Sequence, residues 1–75
     1  MNQQYWCPQV LNRYEGWIDL ESLATTDLNK TELNVLTWRQ IHGISPSRLT
    51  RLIQKPEGWF PPPSENIYNF VPKGM

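Results

Sequence analysis

The stretch KTELNVLTWRQIHGISPSRLTRLIQK, residues 30–55, decides the fold. Its first half places Leu33, Leu36, Thr37, Gln40 and Ile41 along one side, and Val35 and Trp38 widen that apolar face. This spacing predicts a helix over Lys30–His42. Asn29 followed by Glu32 resembles a capping box at its start. Gly43 stands where a helix C′ residue belongs. Ser45 then reads as an N-cap and Pro46 as the first residue of a second helix, because proline has no N–H to leave unsatisfied there. That helix is expected over Pro46–Lys55, with Leu49, Leu52 and Ile53 on one face, and Pro56 stops it. Two short helices joined by Gly-Ile-Ser predict a helix–turn–helix: glycine for the tight turn, an apolar plug, then a cap.

Working outward, the charge pattern agrees with a basic binding surface. Seven Lys and Arg balance seven Asp and Glu, so the net charge is zero. The balance is uneven. Residues 1–32 carry Arg13 and Lys30 against Glu15, Asp19, Glu21, Asp27 and Glu32, a net of −3. Residues 33–75 carry Arg39, Arg48, Arg51, Lys55 and Lys73 against Glu57 and Glu65, a net of +3. No acid occurs from Leu33 to Pro56. A partner carrying phosphates would turn the mutual repulsion of Arg48, Arg51 and Lys55 into attraction. An amphipathic hairpin with a solvated basic face is the competing reading.

The flanking segments carry weaker signals. Residues 1–12 read as an irregular arm, with a short strand around Gln9–Leu11 and Pro8 limiting both helix and central strand. Trp17–Ala24 reads as a short helix, in competition with a strand over Tyr14–Leu20. Trp59-Phe60 leads into Pro61-Pro62-Pro63, which favours an extended polyproline conformation. Ser64-Glu65-Asn66 is a turn, and Ile67–Val71 is rich in strand formers. Nine aromatics in 75 residues supply burial that a small domain needs. They are first of all core candidates.

The run GISPSRLTRLIQKPEGWFPPPSENIYNF resembles the DNA-binding core of AlpA-type prophage regulators and phage excisionases, small winged-helix proteins with a MerR-like fold. The matching residues are Gly43, Ile44 and Ser45, then Ser47, Leu49, Arg51, Leu52 and Ile53, then Phe60, Pro61 and Pro63. Arg39 departs from the pattern, which has a small residue there. The expected fold class is therefore mainly α with a small β wing: a winged helix–turn–helix with an N-terminal extension. Residues 1–30 form the acidic, aromatic extension, packed on or leading into a DNA-binding unit over 31–75.

The resemblance implies that Pro46–Lys55 enters the major groove of double-stranded DNA. Arg48 and Arg51 would contact guanine or phosphate, Ser47, Thr50 and Gln54 would contact bases or phosphates, and Lys55 would contact the backbone. Ser64, Asn66 and Tyr68 would form the wing, and Phe60 would pack under the helices. The implied role is a DNA-binding protein of a phage, prophage or mobile element. It would act in DNA excision and recombination as an excisionase-like architectural factor, or as a transcription regulator. It would self-associate cooperatively on DNA, and its protein partner would be an integrase or another phage or host protein. The alternative is a protein-binding adapter or inhibitor, with Tyr14, Trp17, Asp19 and Glu21 as its interface.

Catalysis finds no motif. His42 sits at a helix end, Cys7 has no local basic neighbour, and no phosphate loop or metal-ligand spacing occurs. The expectation is no enzyme, no cofactor and no metal. No apolar run approaches the roughly 20 residues of a membrane span, and the N-terminus lacks a signal-peptide layout. The expected location is the cytoplasm, in association with the nucleoid.

Overall fold

A computed structural model describes residues 4–62. The wing residues Ser64, Asn66 and Tyr68, and the strand expected at 67–71, lie outside the described residues.

The sheet begins with β1, Trp6–Asn12, which pairs antiparallel with β2, Gly16–Asp19, in the register Gln9↔Asp19 to Asn12↔Gly16. Asn12 builds the connecting turn. Its Oδ1 accepts from the N–H of Tyr14 at 2.8 Å and of Glu15 at 3.2 Å. Gly16 closes the turn at φ +80°, where a side chain would be strained. A 3-10 turn at Glu21–Leu23 follows. Helix α1 then runs over Leu28–Ile41, and β3 over Thr50–Gln54. β3 pairs antiparallel with the other side of β1, giving the strand order β2-β1-β3.

Pro8 thus lies in a central strand. Its C=O accepts from the N–H of Leu20 at 2.8 Å, just past the end of β2. The N–H it lacks would point to the same place, so no ladder bond inside β2 is lost. Trp6 then exchanges two backbone bonds with Thr25, which continues that side of β1.

α1 starts two residues earlier than the Asn29–Glu32 pattern suggests. Asp27 is the N-cap, and its Oδ1 accepts from the N–H of Lys30. The end follows the expectation. Gly43 has φ +60°, the N–H of Ile44 donates to the C=O of Arg39, and that of Gly43 donates to Gln40. This is a Schellman cap. It swings Ile44 onto the core of Val10, Leu20, Leu23, Val35 and Trp38, with Ile18 and Leu52 also packed against it.

Two corrections follow. Roughly equal shares of helix and strand, with one helix on a three-stranded antiparallel sheet, replace the mainly α winged helix–turn–helix. The segment expected as an extension supplies the central strand. The second helix is absent. Ser45–Arg48 is a turn, in which the N–H of Arg48 donates to the C=O of Ser45, and the chain then extends into β3. The residues Leu49, Leu52 and Ile53 fit a helical face, but a pattern of three residues is a weak signal, and pairing with β1 selects the strand, which sends the adjacent Leu52 and Ile53 to opposite faces. Leu52 points to the core, and Arg51 to the opposite face.

Arg39 fixes this outcome. From α1 its Nη1 donates to the C=O of Arg48 at 2.8 Å and to Thr50 Oγ1 at 3.3 Å, and its Nη2 donates to the C=O of Ser45 at 2.9 Å. One guanidinium holds the turn that starts β3. Two measurements check this. Backbone chemical shifts over Thr50–Gln54 will be strand-like, whereas a helical pattern over Pro46–Lys55 contradicts the fold. Arg39→Met, which keeps the aliphatic stem, will lower stability in urea by about 1.5–3 kcal/mol, as expected for losing charge-assisted hydrogen bonds.

Candidate functional site

Strand alternation separates two surfaces. Val10, Ile18 and Leu52 face α1, so Gln9, Trp17, Asp19, Arg51 and Ile53 face away from it.

On the face away from α1, Gln9 is the central link. Its Nε2 donates to Asp19 Oδ1 at 2.6 Å, and its Oε1 accepts from Arg51 Nε at 2.7 Å. Lys55 Nζ closes the network on Asp19 Oδ2 at 2.7 Å. Arg51 also stacks on Trp17, with its guanidinium carbon 4.1 Å from the ring centre. Lys55 Nζ lies 5.4 Å from the ring centre of Trp59, which meets Tyr5 edge-on. Burial alone would raise the Asp19 carboxyl, but the bonds from Gln9 and Lys55 outweigh it and hold the group below its usual value. The same bond raises the Lys55 ammonium above its usual value. Cys7 is fully buried, and desolvation pushes its thiol up to about 12. A thiol held protonated at neutral pH is no nucleophile. Among the described residues, no group of three His, Cys, Asp or Glu is arranged to hold a metal ion.

The second surface lies along α1. Its buried stripe is Thr31, Val35 and Trp38, each one turn from the next. The predicted apolar side instead faces outward: Leu33 is 63% exposed, Leu36 58% and Ile41 54%. The reason is volume. Trp38 fills the space between helix and sheet, and the stripe centred on it leaves the leucines on the far side. Beside them runs a groove of about 350 Å³ between α1 and β3, lined by Glu32, Val35, Leu36, Arg39, Thr50, Arg51 and Leu52. A second hollow, toward Gly43 and Ile44, shares Leu36 and Arg39 with it.

The groove adjoins an open strand edge. The N–H of Leu11 bonds the C=O of Leu49, and the N–H of Lys55 bonds the C=O of Tyr5. Residues 49, 51, 53 and 55 therefore turn their backbone groups toward β1. Thr50, Leu52 and Gln54 turn theirs outward, where no strand pairs with β3 among the described residues.

The expected DNA-contacting residues are dispersed. Ser47 and Arg48 lie in the turn before β3. Thr50 and Gln54 are on the α1 side of β3, Arg51 is on the opposite side, and Lys55 follows the strand. On a helix, Arg48, Arg51 and Lys55 would share a face; a strand divides them. Phe60 does not pack under helices; it is 72% exposed and meets Tyr5 edge-on. Of the adapter residues, Trp17 and Asp19 join the Gln9 network. Tyr14 is 83% exposed in the β1–β2 turn, and Glu21 opens the 3-10 turn.

Sequence reasoning missed the groove. The signal was present as more apolar residues on α1 than one helix stripe can bury. Compared with known proteins, the chain matches no family model, no curated protein and no solved structure.

Asp19→Asn keeps an acceptor for Gln9 but removes the charge facing Lys55. It will cost about 1 kcal/mol near neutral pH. Because the folded-state value of Asp19 is lowered, its contribution is present above the unfolded carboxylate range. It is lost as pH falls through the folded value. The stability curves of the two proteins, followed by urea unfolding, will therefore converge in acid. They will also approach each other as pH rises through the raised Lys55 value.

Proposed function

We propose that this chain is a non-catalytic binding module, and that an extended segment of a protein partner adds to the outer edge of β3 in the α1–β3 groove. The observation that carries this reading is a strand edge, open among the described residues, that borders a groove with the exposed Leu36 on its α1 side. An added strand gains main-chain hydrogen bonds from Thr50, Leu52 and Gln54, while its alternate side chains enter the groove. Apolar residues of the partner would cover Leu36 and Val35. The groove offers Val35, Leu36 and Leu52 as apolar lining, while the Arg51 guanidinium lies on the opposite face, so the complementary segment carries apolar side chains at alternate positions. Long open edges attract non-specific pairing, and a dedicated partner is one way a protein covers such an edge. This is the adapter reading, moved from the Tyr14–Glu21 segment to β3.

Duplex DNA is the second reading, and with it the regulatory or excisionase-like role in a phage or mobile element. What favours it is that Arg13 and Arg48 have no ion pair among the described residues. What weighs against it is that Arg39, Arg51 and Lys55 are each bonded within the chain. Nucleoid association and joint action with an integrase belong to this second reading. Among the described residues, no helix is long and apolar enough to cross a membrane.

The test is selection of short peptides from a random library on the immobilised protein, followed by amide exchange on the complex. Bound peptide will protect the amides of Thr50, Leu52 and Gln54. Leu36→Asp, at an exposed position, will keep the fold and weaken binding by tenfold or more, about 1.4 kcal/mol. Selected peptides that leave those three amides unprotected, or that bind Leu36→Asp equally well, would remove the reading. Shifts confined to Arg13 and Arg48 on adding duplex DNA at low salt, with no peptide selected, would favour DNA instead.

A further inference from the structure

At the end of the sheet where Leu11 faces Leu49, a hollow of about 410 Å³ is lined by Arg13, Ser45, Ser47 and Arg48 over Leu11 and Leu49. We infer that this hollow is a binding site for a phosphate group, whichever partner the α1–β3 groove takes.

Charge is the first argument. The chain holds as many acids as bases, yet among the described residues no carboxylate lines this hollow while two arginines do. The other two arginines are committed. Arg39 is bonded to three acceptors, and Arg51 to Gln9 and the face of Trp17. Arg48 makes one long bond, from Nη1 to the C=O of Leu11 at 3.5 Å. Arg13 lies 5.8 Å from the ring centre of Tyr14. Each guanidinium has five N–H donors, so most of the ten in this hollow have no acceptor among the described residues. An anion between the two removes their repulsion and accepts several of those donors.

Donor geometry is the second argument. Ser45 Oγ and Ser47 Oγ are 2.8 Å apart, and the N–H of Ser47 donates to Ser45 Oγ at 3.2 Å. Two hydroxyl hydrogens are present, and the bond between the hydroxyls uses one. Whichever way that bond runs, the other remains to donate into the hollow. Four side chains thus offer donors and no fixed negative charge. A tetrahedral oxyanion suits that set, since its oxygens can be shared among two planar forks and a hydroxyl.

Preorganisation is the third argument. The turn that carries Ser45, Ser47 and Arg48 is held by Arg39 at the carbonyls of Ser45 and Arg48, and by the bond from the N–H of Arg48 to the C=O of Ser45. The other guanidinium projects from the β1–β2 turn, which Asn12 fixes. Both halves of the site are built before a ligand arrives. The phosphate has two sources with the same chemistry: a free phosphate ion, or the phosphodiester of a nucleic-acid backbone.

The experiment is an NMR titration of the full chain with sodium phosphate, with sodium chloride at matched ionic strength as control, and separately with a short DNA duplex. Phosphate will shift the amides of Ser45, Ser47 and Arg48 and the Nε–H of Arg13 and Arg48, and the shifts will saturate. Arg13→Ala, at an exposed turn position, will keep the fold and weaken the phosphate affinity by about tenfold, the loss expected for a charge-assisted hydrogen bond. Arg51→Ala, outside the hollow, will leave the affinity within about twofold, since removing a screened surface charge costs little. Saturation by the duplex at the same residues would assign the source to a nucleic-acid backbone. Saturation by phosphate alone would assign it to the free ion. Equal shifts with chloride, or an equal loss in Arg51→Ala and Arg13→Ala, would overturn the inference.

Discussion

The guanidinium of Arg39 gathers the carbonyls of Ser45 and Arg48 and the hydroxyl of Thr50 into one fan of hydrogen bonds. Most of what distinguishes this fold depends on that fan. It reverses the chain after the Schellman cap and delivers Thr50 in register opposite Val10. A small residue at position 39, as in a helix–turn–helix, would leave room for a second helix to pack against the first. Arginine fills that room and satisfies carbonyl groups that a second helix would otherwise have bonded within itself.

Both surfaces of interest follow from placing β3 beside β1. As a strand, residues 50–54 divide their side chains between two faces, so the basic residues no longer form one patch. Arg51 and Lys55 join Gln9, Asp19 and Trp17 on one side. Thr50 and Leu52 border the groove beside α1 on the other. The strand also leaves an edge, unpaired among the described residues, next to Leu36, which the core did not take. Trp38 explains this. A single large ring at the helix–sheet contact fixes which stripe of α1 faces inward, and Leu33 and Leu36 lie outside that stripe.

Several features were legible without tertiary information because their causes are local. The helix over most of residues 30–42 comes from propensity and spacing, and its end at Gly43 from the left-handed conformation that glycine alone adopts without cost. The unequal charge of the two halves is also a plain reading, but its meaning changed. Acids of the front half and bases of the back half meet across the sheet, as Asp19 does with Lys55 and as Gln9 links Asp19 to Arg51. For Arg51 and Lys55, what resembled a basic surface awaiting an external partner is an internal pairing. Among the arginines, Arg13 and Arg48 keep most of their donors uncommitted to the described residues.

The sequence by itself determined one helix and its C-terminal cap. These conclusions rest on residues within a few positions of one another. Tertiary structure decided the state of residues 46–55, the central place of β1 despite Pro8, and which side of α1 is buried. Each of these depends on contacts between segments far apart in the chain. The period of a five-residue run such as Thr50–Gln54 is too short to choose its state, and the free side of β1, together with the Arg39 bonds that deliver the chain to it, makes it a strand.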